Sequence, residues 1–210
     1  MTIAITIVAS FILFASEKLS KVFEVDKANE AVFYAVFSHL CLRLVQIDAM
    51  DQLGRNLSLK KGFLLMGDLG SGKSTLMRLI SEFIQLGQYL KKNGAVAFKP
   101  TTTQDVCQLY KQTGSIDRHT YNEDGVTEKP AVFCFDELGR EPRIVDHYGT
   151  KIDVISQVLQ VRYILWQTKG IPTHFITNMN LEELGITYGE FIVQRLVEMS
   201  NVVELNGDSR

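Results

Sequence analysis

The sequence predicts an α/β domain, a five-stranded parallel sheet flanked by helices. Three observations carry this. From about Lys61 onward, short apolar runs alternate with helix-spaced patterns, as when each strand is followed by a crossover helix. The first apolar run leads straight into a glycine-rich segment that opens the first of these helices. A later run, Ala131-Val132-Phe133-Cys134-Phe135, is apolar throughout and stops at Asp136 and Glu137. That is the pattern of a buried parallel strand whose C-terminal end meets a polar site.

The elements follow in chain order. Residues 1–16 carry no charge, and residues 3–14 are strongly apolar. No Lys or Arg precedes this run, so the basic region of a signal peptide is missing. The run is also shorter than the roughly 20 residues of a membrane helix. A buried strand or helix is the expectation; a mistaken start site and a membrane anchor are the alternatives. Residues 17–60 read as mainly helical, so residues 1–60 form an N-terminal extension ahead of a core domain over 61–210. Strands are expected at 62–66, 95–98, 131–136, 173–177 and 202–205. Leu76, Leu79, Ile80, Phe83 and Ile84 recur at helical spacing within 74–86, and Ile152, Ile155, Val158, Leu159 and Tyr163 do so within 152–166. A third helix is expected over 188–199. A fourth, near 105–111, begins after the cap-like run Thr101-Thr102-Thr103. Residues 114–130 are polar and read as a surface loop.

Composition narrows the function classes. The chain has 210 residues, enough for one full domain, with 46% hydrophobic and 22% charged residues, as in ordinary folded proteins. The formal charge of -2 excludes a global basic field. Any DNA contact would use a local patch; residues 140–151, with Arg140, Arg143 and Lys151 against Glu141 and Asp146, are the better candidate, though taken alone this cluster reads first as a solvated loop. The cysteines Cys41, Cys107 and Cys134 have neither zinc spacing nor a disulfide framework, which fits a reducing cytoplasm.

The chemistry centres on Gly67-Asp68-Leu69-Gly70-Ser71-Gly72-Lys73-Ser74, followed by Thr75. It matches GxxxxGK[ST] between a strand and a helix, the context of a phosphate-binding P-loop. Glycines let the backbone close around phosphate, and backbone N–H groups at the helix N-terminus point at the anion. Lys73 would reach the β- and γ-phosphates of ATP, and the Ser74 hydroxyl would bind Mg²⁺. Asp136 would hold the same Mg²⁺ through water, and Glu137 would act as general base on the attacking water. Asn178, ending the run Thr173-His174-Phe175-Ile176-Thr177, either contacts the attacking water or the γ-phosphate, or caps the next turn. Arg195 either reaches a neighbouring subunit's γ-phosphate or pairs with Glu198 on a solvated helix face. An ATPase is the leading class. A nucleotide-dependent binding module with negligible turnover is the second. A small-molecule kinase is the third, for which Glu137 would be superfluous.

Taken together, these residues resemble the AAA+ ATPases. Asp136-Glu137-Leu138-Gly139-Arg140-Glu141-Pro142, Thr173 to Asn178, Tyr188-Gly189-Glu190, Arg195 to Met199 and the closing Gly207-Asp208-Ser209-Arg210 are similar to the DnaC/IstB-type branch of helicase loaders and transposition helper ATPases. The resemblance covers roughly residues 60–210. It implies an AAA+ core and head-to-tail self-association that brings Arg195 to a neighbour's ATP; the helical lid of many AAA+ proteins is expected to be absent, a departure from that pattern, because the sequence stops right after the last expected strand. It also implies a partner among replicative helicases, transposases or single-stranded DNA. Arg210 would be a candidate second sensor.

Overall fold

The structure is a computed structural model that describes residues 2–20, 25, 30–42, 51, 53–121 and 130–206. In chain order it contains α1 (Thr2–Leu19), α2 (Glu30–Phe37, continued by a π-helical turn Ser38–Leu42), β1 (Gly62–Met66), α3 (Lys73–Leu86) and α4 (Gln88–Lys92). Then come β2 (Lys99–Thr102), α5 (Thr103–Thr113), β3 (Phe133–Asp136), β4 (Val145–His147), β5 (Thr150–Ile152) and α6 (Val154–Lys169). The chain continues with β6 (His174–Ile176), α7 (Leu181–Tyr188), α8 (Glu190–Met199) and β7 (Ser200–Glu204).

Five strands form one sheet in the order β2-β3-β6-β1-β7, every pairing parallel. β1 lies inside it, with Leu64 paired to Phe175 on one side and to Val202 on the other. Side chains alternate across a strand, so both faces of this sheet are apolar. Leu64, Phe135, Phe175 and Val202 face a core closed by α5, α6 and α8. Phe63, Leu65, Cys134, Ile176 and Val203 face the other way, onto α3, α2 and α1. The apolar N-terminus is therefore a helix packed on the core. Phe11 is wholly buried, in ring contact with Phe33, Phe37 and Phe83. No helix among the described residues is long and apolar enough to cross a membrane.

Several expected elements shift, each for a visible reason. The apolar run 95–98 precedes the second strand. Ala95 and Phe98 are buried, but the Ser81 hydroxyl donates to the Phe98 carbonyl and accepts the Phe98 N–H at 3.2 Å, which takes that backbone out of the ladder. Pairing starts at Lys99, whose N–H reaches the Val132 carbonyl at 2.9 Å. β2 is an edge strand and is only half-covered, so it needs no apolar run. The helix expected over 188–199 is α8, which starts at Glu190 just after Gly189, where φ is +86°, while Tyr188 is the last residue of α7. Of residues 17–60 the structure describes 17–20, 25, 30–42, 51 and 53–60, and among these 17–19 and 30–42 are helical. The Asp51 carboxylate accepts from the N–H groups of Leu53 and Arg55 and from the Arg55 guanidinium, fixing a local turn where helix was foreseen.

Further features went unforeseen, the short helix α4 and the helix α7 among them. The antiparallel hairpin β4–β5 turns at Tyr148-Gly149, both at positive φ. The polar segment after α5 is not all surface: His119 and Thr120 are buried, with the His119 ring 5.4 Å from that of Phe133. Residues 122–129 of that expected loop, and the closing 207–210 with Arg210, lie outside the described residues.

Candidate functional site

The site is assembled at the C-terminal ends of β1, β3 and β6. After Met66 the chain turns through 67–72 and enters α3 at Lys73. Gly67 has φ +133°, and a Cβ there would lie 2.2 Å from the Leu205 carbonyl oxygen, so only glycine lets the loop pass the end of β7. Gly72, at φ +90°, is the residue before the first turn of α3 and makes no side-chain cap, which leaves that turn's N–H groups for another acceptor. Lys73 is buried, and its ammonium donates to the carbonyls of Gly67 at 2.7 Å and Asp68 at 2.6 Å and to the Ser71 hydroxyl at 3.1 Å. Burial lowers its pKa from the ordinary lysine value, against the opposing pull of Asp136 and then Asp68.

Asp136 is the last residue of β3, and its carboxylate accepts the Glu137 N–H at 2.8 Å. Glu137 sits at φ +58°, a left-handed conformation that costs a non-glycine residue roughly 1–3 kcal/mol. The surroundings hold it there. The Glu137 carbonyl accepts from the Thr103 hydroxyl at 3.0 Å and from the Arg140 N–H at 3.0 Å. Immediately beyond, the Leu138 N–H reaches the Ile176 carbonyl at 2.9 Å, and the Thr177 hydroxyl donates to the Leu138 carbonyl at 2.8 Å. Thr103 and Thr177 thus brace this bend. Sequence reading missed both, since a threonine at a strand or helix end is ordinary turn chemistry.

At the end of β6, Asn178 is half-buried. The next helix is capped by Asn180, whose side chain accepts the Glu183 N–H at 2.9 Å while Glu183 accepts the Asn180 N–H at 2.8 Å, a full capping box. The capping role considered for Asn178 therefore falls to Asn180.

These three strand ends enclose a cavity of about 190 Å³. Leu69, Gly70, Gly72, Lys73, Ser74 and Thr75 line it from the loop and α3. Asp136 and Glu137 line it from β3, and Ile176, Thr177 and Asn178 from β6. Gly67, Asp68 and Ser71 stand behind it and hold the Lys73 ammonium. Arg195 does not line this cavity. Its guanidinium lies 3.9 Å from the centre of the Phe191 ring and 5.0 Å from that of Tyr163. The pairing with Glu198 is not formed: the Glu198 carboxylate takes the Tyr163 hydroxyl instead.

No protein-family model matches the chain, and no curated protein does. Solved structures do. DnaI is 19% identical over 87% of this chain and 88% of its own, with a TM-score of 0.54. AMPPCP-bound DnaA from Aquifex aeolicus is 15% identical over 89% of this chain, with a TM-score of 0.53, and this chain spans 49% of it. A putative primosome component from Streptococcus pyogenes serotype M3 is 18% identical over 88% of this chain and 100% of its own, with a TM-score of 0.50. At these identities the likeness is one of fold, a five-stranded parallel sheet between layers of helices. The resemblance read from the sequence holds at that level.

Proposed function

We propose that this chain binds and hydrolyses Mg²⁺–ATP and spends the cycle on a DNA-bound partner, in the manner of DnaC/IstB-type helicase loaders. One observation carries the reading. Lys73, Ser74, Asp136, Glu137 and Asn178 arrive from three separate strand ends and line one cavity. In this reading residues 61–210 are the ATPase core and residues 1–60 an extension to it. The location is cytoplasmic, in keeping with three buried free thiols.

Gly67, Asp68, Leu69, Gly70, Ser71 and Gly72 wrap the phosphates with backbone, Thr75 lies in the first turn of α3, and Lys73 places its charge on the β- and γ-phosphates. Ser74 and Asp136 offer a hydroxyl and a carboxylate to one cavity, hard oxygen donors of the kind Mg²⁺ selects. Among the described residues no group of three or more His, Cys, Asp or Glu could hold a metal by itself, so the nucleotide's own oxygens would complete the set. When bound, Mg²⁺ would neutralise charge on the phosphates. Glu137 takes a proton from the attacking water as its oxygen bonds to the γ-phosphorus and the bond to the ADP oxygen breaks. Asn178 orients that water or a γ-phosphate oxygen through its amide.

Support for a nucleic-acid setting comes from the fold neighbours, among them replication initiator DnaA in a structure with AMPPCP and single-stranded DNA, at a TM-score of 0.53. The partner classes proposed here are a replicative helicase, a transposase and single-stranded DNA, with the subunits assembled head to tail.

Phosphate release from Mg²⁺–ATP, measured with and without single-stranded DNA, tests the reading. Wild type should turn over ATP, and Glu137→Gln should bind ATP but lose turnover by roughly 10²-fold. Tight binding without phosphate release in wild type would make the chain a nucleotide-dependent binding module instead.

A further inference from the structure

Two segments singled out in the sequence, Glu137-Leu138-Gly139-Arg140-Glu141 and Tyr188-Gly189-Glu190, meet in space. Glu141 is 7% exposed, and its carboxylate divides its oxygens between them. One oxygen accepts the Gly139 N–H at 3.0 Å, and the other accepts the hydroxyl of Tyr188, itself 7% exposed at the end of α7. No ion pair to Glu141 forms among the described residues. A buried carboxylate held only by neutral donors is costly to keep for packing alone.

The contact closes a circuit around Glu137. Gly139, two residues on, has φ +98°, and a Cβ there would lie 2.4 Å from the Met179 sulfur, so the bend is pressed against the residue following Asn178. On the far side the Arg143 guanidinium lies 4.9 Å from the centre of the Tyr188 ring and 2.6 Å from Asp153, whose carboxylate caps α6. Thr103 and Thr177 brace the start of the bend; Glu141 and Tyr188 brace its end.

From this geometry we infer that Glu141 and Tyr188 are positioning residues: together they fix the 137–141 bend and so set the aim of the Glu137 carboxylate at the attacking water. Neither lines the cavity. The inference rests on Glu137 being the general base. It predicts an effect on turnover separate from nucleotide affinity, since the phosphate loop lies on other strands.

The test compares wild type, Tyr188→Phe, Glu141→Ala and the double variant, reading phosphate release at saturating Mg²⁺–ATP, the Kd of Mg²⁺–ATP by calorimetry, and Tm. Tyr188→Phe keeps the ring beneath Arg143 and removes one oxygen. It should lower kcat roughly tenfold and change Kd less than about twofold. Glu141→Ala should do at least as much, and adding Tyr188→Phe to it should cost nothing further, because the two act as one unit. Glu141→Gln, which keeps an acceptor oxygen, should recover part of the loss. Unchanged kcat in Tyr188→Phe overturns the inference, as do additive effects in the double variant, or kcat, affinity and Tm falling together. A wild type that turns over beside an equally active Tyr188→Phe sinks the inference alone; a wild type without turnover sinks the assignment of Glu137 as well.

Discussion

Lys73 holds three oxygens of its own loop, and any phosphate that enters competes with those contacts for its charge. Lys73→Ala should therefore abolish tight ATP binding while leaving the fold intact, and unchanged affinity in a calorimetric titration with Mg²⁺–ATP would refute the site. Asn178→Ala should slow hydrolysis more than it weakens binding, because its amide faces the cavity while Asn180 does the capping. A drop in Tm with normal turnover would return Asn178 to a structural role. Residues at this scale were the most legible part of the sequence. Gly67 to Ser74 and Asp136-Glu137 stand out because each pattern demands rare residue types in order, and the structure brings Lys73, Ser74, Asp136 and Glu137 to one cavity. What supports them was not legible. Thr103, Thr177 and Glu141 act through bonds to backbone 34, 39 and 2 residues away, and no short motif records such partners.

Elements show a similar divide. Interior strands β1, β3 and β6 were readable within one or two residues, because both faces are buried and the chain must be apolar there. Edge strand β2 was displaced, since its exposed residues carry no such demand and Ser81 claims the backbone of the apolar run before it. The hairpin β4–β5 is three residues a side, too short for alternation to register. The segment after α5 gives an element-scale prediction. Burial against β3 lowers the His119 pKa from 6.5 to about 4, with Arg118 and Arg162 adding to the effect and Asp105 opposing it. The unfolded chain thus takes up a proton near pH 6.5 while the folded one stays neutral. The His119 contribution to stability is constant above that pH and falls by up to roughly 1.4 kcal/mol per unit as the pH drops toward 4. Melting at pH 7.5 and pH 5 should show this loss in wild type and less of it in His119→Leu; equal losses would exclude His119 as the cause.

At the scale of the whole molecule, Arg195 stands apart from its own subunit's cavity, between the rings of Phe191 and Tyr163. Under the head-to-tail proposal it serves a neighbour, and activity per chain should rise with protein concentration. Arg195→Ala and Glu137→Gln should each be inactive alone. Mixed, they should regain some turnover, because an intact Glu137 on one subunit can meet an intact Arg195 on the next. A mixture as inactive as its components would remove the support for assembly in trans. The strand order has one more consequence, and it concerns time. β1 pairs only with β6 and β7, so Leu64 waits for Phe175 and Val202. During synthesis β2 and β3 can join as soon as both have emerged, while β1, already translated, has no strand to lie against. The sheet closes around β1 last, and the nascent chain must keep an apolar strand from its neighbours until then. A polypeptide released before His174 would carry the whole glycine-rich motif and still lack the strand ends that complete its cavity.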